Sequence, residues 1–217
     1  MSAPRVFGAS YSVYVRIVRL TLAEKAVPYE LQELDIFAPG GPPPDYLVHR
    51  HPFGRIPAFE HDGFRLYETA AIARYVDEAF AGPPLQPADP RGRARMTQII
   101  SLLDNYAYRP LVWDLFVERM RAPVQGRQPD EARIAAALPA AETCLDALVV
   151  LMADGPYLAG PALTLADLHA APMFIYARLA AEACALLRRR PALEAWVDRI
   201  IGRPSVAATR SPFEPGP

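Results

Sequence analysis

Three hydroxyl side chains stand together near the start of the chain, Ser10, Tyr11 and Ser12, within the run Gly8-Ala9-Ser10-Tyr11-Ser12-Val13-Tyr14-Val15-Arg16. A helical pattern begins directly after them. A hydroxyl that donates a hydrogen bond at such a place favours a negatively charged neighbour, and the helix N-terminus adds a partial positive charge. Ser10 or Ser12 could equally do no more than cap the helix. Glu68-Thr69 is a second feature of this kind, where a strand pattern turns into a helix. Thr69 can cap that helix, and the N–H groups beside it point towards an anion. Arg55, just before Ile56-Pro57, is a cation able to hold a carboxylate or to lie in solvent. No cysteine occurs among residues 8–16, so a nucleophilic thiol of the chain's own is excluded there. Cys144 and Cys184 fall in apolar helical stretches and read as core thiols; they make no metal spacing and no disulfide framework. His49, His51, His61 and His169 show no metal spacing either, so no metal is expected.

The elements that must position these residues fall into two groups. Arg5-Val6-Phe7-Gly8 favours a strand, and Val13 to Lys25 has apolar residues at helical spacing on two sides. Tyr29 to Leu34 alternates as a strand does. Phe37 to Pro44 holds two glycines and four prolines and reads as a loop. Residues 56–60 and 64–67 flank His61-Asp62-Gly63 as an antiparallel hairpin, and Glu68 to Phe80 is helical. Residues 82–90, with four prolines, form a linker. Beyond it the chain reads as helix: Arg91 to about Met120, Pro129 to Ala153 with Pro139 at a bend, Thr164 to about Leu187, and Ala192 to Ile201. The expected domains are therefore 1–81 and 91–217.

Composition bounds the function. The 217 residues are 52% hydrophobic and 22% charged, enough for a sizeable core and unlike a disordered chain. A net charge of -1 argues against a broad basic surface, so no nucleic-acid partner is expected. No apolar run approaches the roughly 20 residues of a membrane helix, and the N-terminus lacks a signal-peptide pattern. The expected compartment is the cytoplasm, with no membrane partner. Of the 23 basic residues only Lys25 is a lysine, which suggests a GC-rich, bacterial genome. Arg188-Arg189-Arg190 reads as a solvated helix end.

His51-Pro52-Phe53-Gly54-Arg55-Ile56-Pro57-Ala58-Phe59, followed by Leu66-Tyr67-Glu68-Thr69-Ala70-Ala71-Ile72-Ala73-Arg74-Tyr75, resembles the glutathione transferase family. Tyr157 to Asp167, Trp196 and Arg203-Pro204-Ser205-Val206 are similar to that family's second-domain signals. The likeness spans nearly the whole chain in order and is greatest to the serine-type branch, with phi-class and many bacterial members. It implies an α/β thioredoxin-like N-terminal domain that binds glutathione and an all-α helical domain that supplies an electrophile pocket. It also implies a homodimer, with Phe53 on its Pro-Phe-Gly loop a candidate contact.

The resemblance implies roles residue by residue. The Ile56-Pro57 peptide would be cis, turning the Ile56 backbone outward to pair with the cysteinyl unit of glutathione. Glu68 would meet the ammonium group, Thr69 the γ-glutamyl carboxylate, and Arg55 a glutathione carboxylate. Counting from Gly8, or back from Val27-Pro28-Tyr29-Glu30, sets Ser12 on the catalytic serine, with Ser10 and Tyr11 as alternatives. Lowering a thiol pKa by about two units needs roughly 2.7 kcal/mol. One hydrogen bond to a charged group, at about 1.5–3 kcal/mol, and a helix terminus, at about 0.3–1, suffice. Tyr106, Tyr108, Trp113 and Phe116 lie where the family sets its electrophile pocket. Thr164 and Asp167 form a capping box, structural in role, whose loss would cost about 1–2 kcal/mol. The expected activity is conjugation of glutathione to an apolar electrophile. A non-catalytic scaffold, or a glutathione-dependent isomerase or peroxidase, stays open.

Overall fold

The computed structural model describes residues 2–152 and 154–214. They form two compact units, one of Met1–Pro84 with the segment from Pro204 onward, the other of Leu85–Arg203. The division falls inside the proline-rich linker. Residues 204–214, which the sequence groups with the helical part, pack instead with the first unit.

The first unit contains strand β1 (Arg5–Phe7), helix α1 (Val13–Glu24), β2 (Glu30–Gln32), α2 (Pro44–His49), β3 (Ala58–His61), β4 (Phe64–Tyr67) and α3 (Thr69–Ala79). Among the described residues the sheet order is β2-β1-β3-β4. β1 and β2 run parallel, and β3 is antiparallel to β1 and β4. Asp62 (φ 46°) and Gly63 (φ 81°) make the tight turn of the β3–β4 hairpin, a conformation that suits an Asp-Gly pair. Val6, Phe59, Val15, Val18, Leu22, Ile72 and Val76 form the core, joining one face of the sheet to α1 and α3. Each such side chain stabilises the fold by about 1.5–3 kcal/mol through burial. α2 is absent from the sequence reading, where the proline run hides it; Pro44 suits a first helical turn because its missing N–H needs no partner there. Lys25, the one lysine, is buried, its ammonium held by Asp77 and by the carbonyls of Asp77 and Pro83.

The second unit starts with α4 (Pro90–Leu102), capped by Asp89, whose carboxylate accepts the N–H groups of Arg91 and Gly92. The helix continues through residues 103–121 in a wider winding, with Tyr108 N–H returning to Leu103 and Ala122 N–H to Val117. These are five-residue steps, wider than an α-turn. Then come α5 (Glu131–Met152), α6 (Leu165–Ala177), α7 (Ala181–Arg188) and α8 (Pro191–Ile201), and in the first unit α9 (Pro204–Ala208).

Several expectations need correction. The segment read as one helix from Thr164 is two, α6 and α7, separated at residues 178–180. α5 has 22 residues and is long and apolar enough to cross a membrane by length and composition only, although Glu142 and Asp146 interrupt its apolar run. Its inward stripe, Ile134, Ala137, Ala141, Cys144, Leu145 and Leu148, is buried in the helical unit. Ala153, the expected end of that helix, lies outside the described residues. Arg190 is not solvated: it is 7% exposed and donates to Asp146 and to the Leu186 carbonyl.

Candidate active site

Strand register gathers the predicted residues at one end of the sheet. Phe7 pairs with Ala58, and Ala58 pairs with Tyr67. Gly8, Pro57 and Glu68, the next residue out on each strand, therefore share that edge. Gly8 has a φ of 149°, and a Cβ there would collide with Val15 Cγ2 and meet Ile56 Cβ at 3.0 Å. The missing side chain lets the start of α1 approach the Ile56-Pro57 loop. That peptide is cis. Tyr46 of α2 donates its hydroxyl to the Arg55 carbonyl at 2.6 Å and anchors the same loop from the other side.

The three hydroxyls differ in their surroundings. Ser12 is the N-cap of α1, and its Oγ accepts the Val15 N–H at 3.4 Å. A capping oxygen uses only a lone pair, so the O–H proton stays available for another acceptor. Tyr11 donates its hydroxyl to Asp35 at 2.6 Å, which commits its proton. Ser10 is held by its backbone: its N–H donates to Glu33, and its carbonyl accepts from Arg19.

Glu68 is the N-cap of α3, with φ 71° and ψ 113°. A non-glycine residue held there costs about 1–3 kcal/mol, and such strain gathers at ligand sites. Thr69 is correspondingly the first helical residue and not the cap, and it is 7% exposed. Ile72 N–H returns to the Glu68 carbonyl, so the first-turn N–H groups before it have no acceptor within the helix. Glu68 and Arg55 are both exposed, and among the described residues neither has an ion-pair partner. One end of the sheet thus carries a free carboxylate, a free guanidinium, a helix N-terminus and a hydroxyl donor. That set suits a small zwitterionic ligand with an additional ionisable group.

The expected electrophile-side aromatics lie in the helical unit with different exposures. Tyr106 is 66% exposed, whereas Phe116 is 2% exposed and stacks on Tyr176 at 4.3 Å. Phe116 is a core ring in this unit. Trp113 and Tyr108 are half-buried.

Two family models match the chain: the glutathione S-transferase N-terminal domain over residues 6–84 and the glutathione S-transferase C-terminal domain over residues 99–204. A glutathione S-transferase of Hyoscyamus muticus is 30% identical over 203 residues, covering 93% of this chain and 94% of the relative. The chain belongs to the glutathione S-transferase family. Among solved structures, glutathione transferase F7 from Populus trichocarpa superposes with a TM-score of 0.84 at 30% identity, over 95% of this chain and 97% of that one. A theta-class glutathione S-transferase from Xanthomonas axonopodis pv. citri, with glutathione bound, gives 0.77 at 26% identity over 99% and 100%. The resemblance to an enzyme family with thioredoxin-like and helical domains is thereby borne out. The Hyoscyamus and Populus relatives are plant proteins.

In this family member one polar residue beside the site, His51, has no role in the sequence reading beyond its place in the His51–Phe59 motif. Its ring lies 4.8 Å from that of Tyr67. It is 3% exposed, and its Nδ1 is buried without a partner among the described residues. Burial holds its imidazole below the usual range; Glu68 opposes that shift and Arg55 adds to it. His51 thus feels both free charges of the site.

Proposed function

We propose that this chain binds glutathione in its first unit and transfers the glutathione thiolate to an apolar electrophile. The observation that carries the reading is the N-cap geometry of Ser12, whose Oγ accepts the Val15 N–H and so leaves its proton able to donate elsewhere. In this reading the Ser12 hydroxyl donates to sulfur and favours the thiolate, and the start of α1 adds its partial positive charge. Glu68 meets the glutathione ammonium group. Thr69 and the first-turn N–H groups of α3 meet the γ-glutamyl carboxylate. Arg55 meets the remaining carboxylate. The backbone at Ile56, next to Pro57, pairs with the cysteinyl unit as an added strand would. The xanthomonad relative's bound glutathione supports the choice of ligand. Tyr106 and Trp113 are the aromatic residues we assign to the electrophile; Phe116, packed in the core on Tyr176, is not among them.

The thiolate attacks the electrophilic carbon and forms the carbon–sulfur bond, and the leaving group departs with the electron pair. Glutathione enters as co-substrate, and the assigned steps call on no metal. The enzyme works in the cytoplasm as a homodimer, with Phe53, 71% exposed, at the dimer contact. Sedimentation at micromolar concentration checks the last point, and a monomer alone contradicts it.

Ser12→Ala tests the chemistry. Loss of one hydrogen bond to a charged sulfur should lower kcat/KM for an activated aryl halide by roughly 10- to 150-fold. The glutathione KM should change little, because the γ-glutamyl contacts remain. Full retention of turnover would remove Ser12 from the mechanism and point to Ser10 or Tyr11.

A further inference from the structure

Residues 204–214 lie along α1 and run antiparallel to it. At the last residue of the helix, Ser205 Oγ donates to Glu24 at 2.5 Å. Further back, Arg16 carries four bonds to this segment. Its Nη1 and Nη2 donate to the two carboxylate oxygens of Glu214, at 2.5 and 3.3 Å. Nη2 also donates to the Val206 carbonyl at 3.2 Å, and Nε to the Thr209 hydroxyl at 3.5 Å. Before the helix begins, the ring of Phe213 stacks on that of Tyr11 with centroids 5.0 Å apart. The turn that presents these groups is closed on itself, since Ser211 N–H donates to Glu214 and Phe213 N–H to the Ser211 hydroxyl.

Arg16 has no exposure at all. A buried guanidinium is tolerated only where its donors are matched, and a two-pronged pairing with carboxylate fixes orientation as well as charge. Arg16 N–H in turn donates to the Ser12 carbonyl at 2.9 Å, so the first turn of α1 connects this pair to the capping serine. Tyr11, the residue before that serine, is gripped by Phe213 on its ring and by Asp35 on its hydroxyl. The contacts from Val206 to Glu214 lie beyond the C-terminal family-model match, which ends at residue 204.

We propose that residues 204–214 are a positioning element for thiol activation, in which Glu214 and Phe213 act through Arg16 and Tyr11 to hold Ser12. The inference rests on the reading of Ser12 as the activating hydroxyl. The segment touches no reacting atom. It fixes where the hydroxyl points and the start of the helix whose partial charge supports the thiolate.

Three variants test it in the full-length chain: Glu214→Gln, which removes the charge; Phe213→Ala, which removes the stack at a half-exposed site and should fold; and Phe213→Tyr, which keeps the ring. Hydrogen exchange and kinetics together separate positioning from general stability. In Glu214→Gln and Phe213→Ala, hydrogen-exchange protection of the Val15 and Arg16 amides should fall about tenfold or more, while Ile72 and Val76 of α3 keep theirs. In the same variants kcat should fall by roughly 10- to 100-fold, as a misaligned group costs. The pH of thiol ionisation in bound glutathione should rise, and the glutathione KM should stay within about twofold. Phe213→Tyr should restore both readouts. Unchanged protection at Val15 and Arg16, equal loss of protection in α3, or an unmoved thiol ionisation would each overturn the proposal. If the unsubstituted protein does not ionise bound glutathione early, the transferase reading fails instead, and the exchange readout alone decides whether the segment orders the start of α1.

Discussion

Trp196 donates its indole N–H to Asp167 Oδ1 at 2.8 Å, and that bond is one of four the carboxylate accepts. Leu158 N–H reaches the same oxygen, while the N–H and hydroxyl of Thr164 reach Oδ2. Burial pushes the Asp167 carboxyl up, and these four hydrogen bonds oppose the shift. One side chain therefore joins the start of α6, the loop at Leu158 and α8. Sequence reasoning saw only a helix cap there.

Asp167→Ala should consequently cost more than a cap. Buried donors left unpaired cost about 1–3 kcal/mol each, so the loss should reach about 3 kcal/mol or more. Asp167→Asn should also destabilise, because its amide sets a donor against donors. Denaturant unfolding followed by Trp196 fluorescence measures both. A loss below about 1 kcal/mol, the scale of an ordinary exposed cap, would contradict this view.

Glu68 combines strain with a free charge, and the two can be separated. Glu68→Gly releases a positive-φ strain of about 1–3 kcal/mol against an entropy cost of about 0.5–1. The thermal midpoint should hold or rise. Glutathione affinity should fall roughly tenfold or more, the worth of a charge-assisted hydrogen bond. Calorimetric titration of glutathione checks it. An unchanged affinity would take Glu68 out of the binding site.

Much of this was legible in the residues because it rests on local rules. The Asp62-Gly63 turn, the amphipathic spacing of α3 and the proline-rich boundary each follow from short-range chemistry. Glu68-Thr69 could be singled out for the same reason and Ile56-Pro57 through the family resemblance, and the strand register brings them, with Gly8, to one edge. What escaped the sequence depends on contacts distant along the chain. Nothing near Arg16 reveals that its partner is Glu214, so a core arginine could not be told from a surface one. Arg190 was misread for the same cause, its acceptor Asp146 lying on α5, 44 residues earlier. α2 was hidden by prolines that usually break structure but here begin it. The five-residue winding at residues 103–121 has no local sequence signal that we can identify.

The most direct measurement is an ultraviolet difference titration of glutathione with the purified protein across pH, since thiolate absorbs where thiol does not. A free thiol ionises near pH 8.5 or somewhat above. A hydroxyl bond and a helix terminus acting together should bring the bound thiol about two units lower, and Ser12→Ala should return most of that shift. Glutathione binding seen by calorimetry with no early thiolate signal would contradict thiol activation and leave a binding protein. No binding at millimolar glutathione would contradict the whole functional reading.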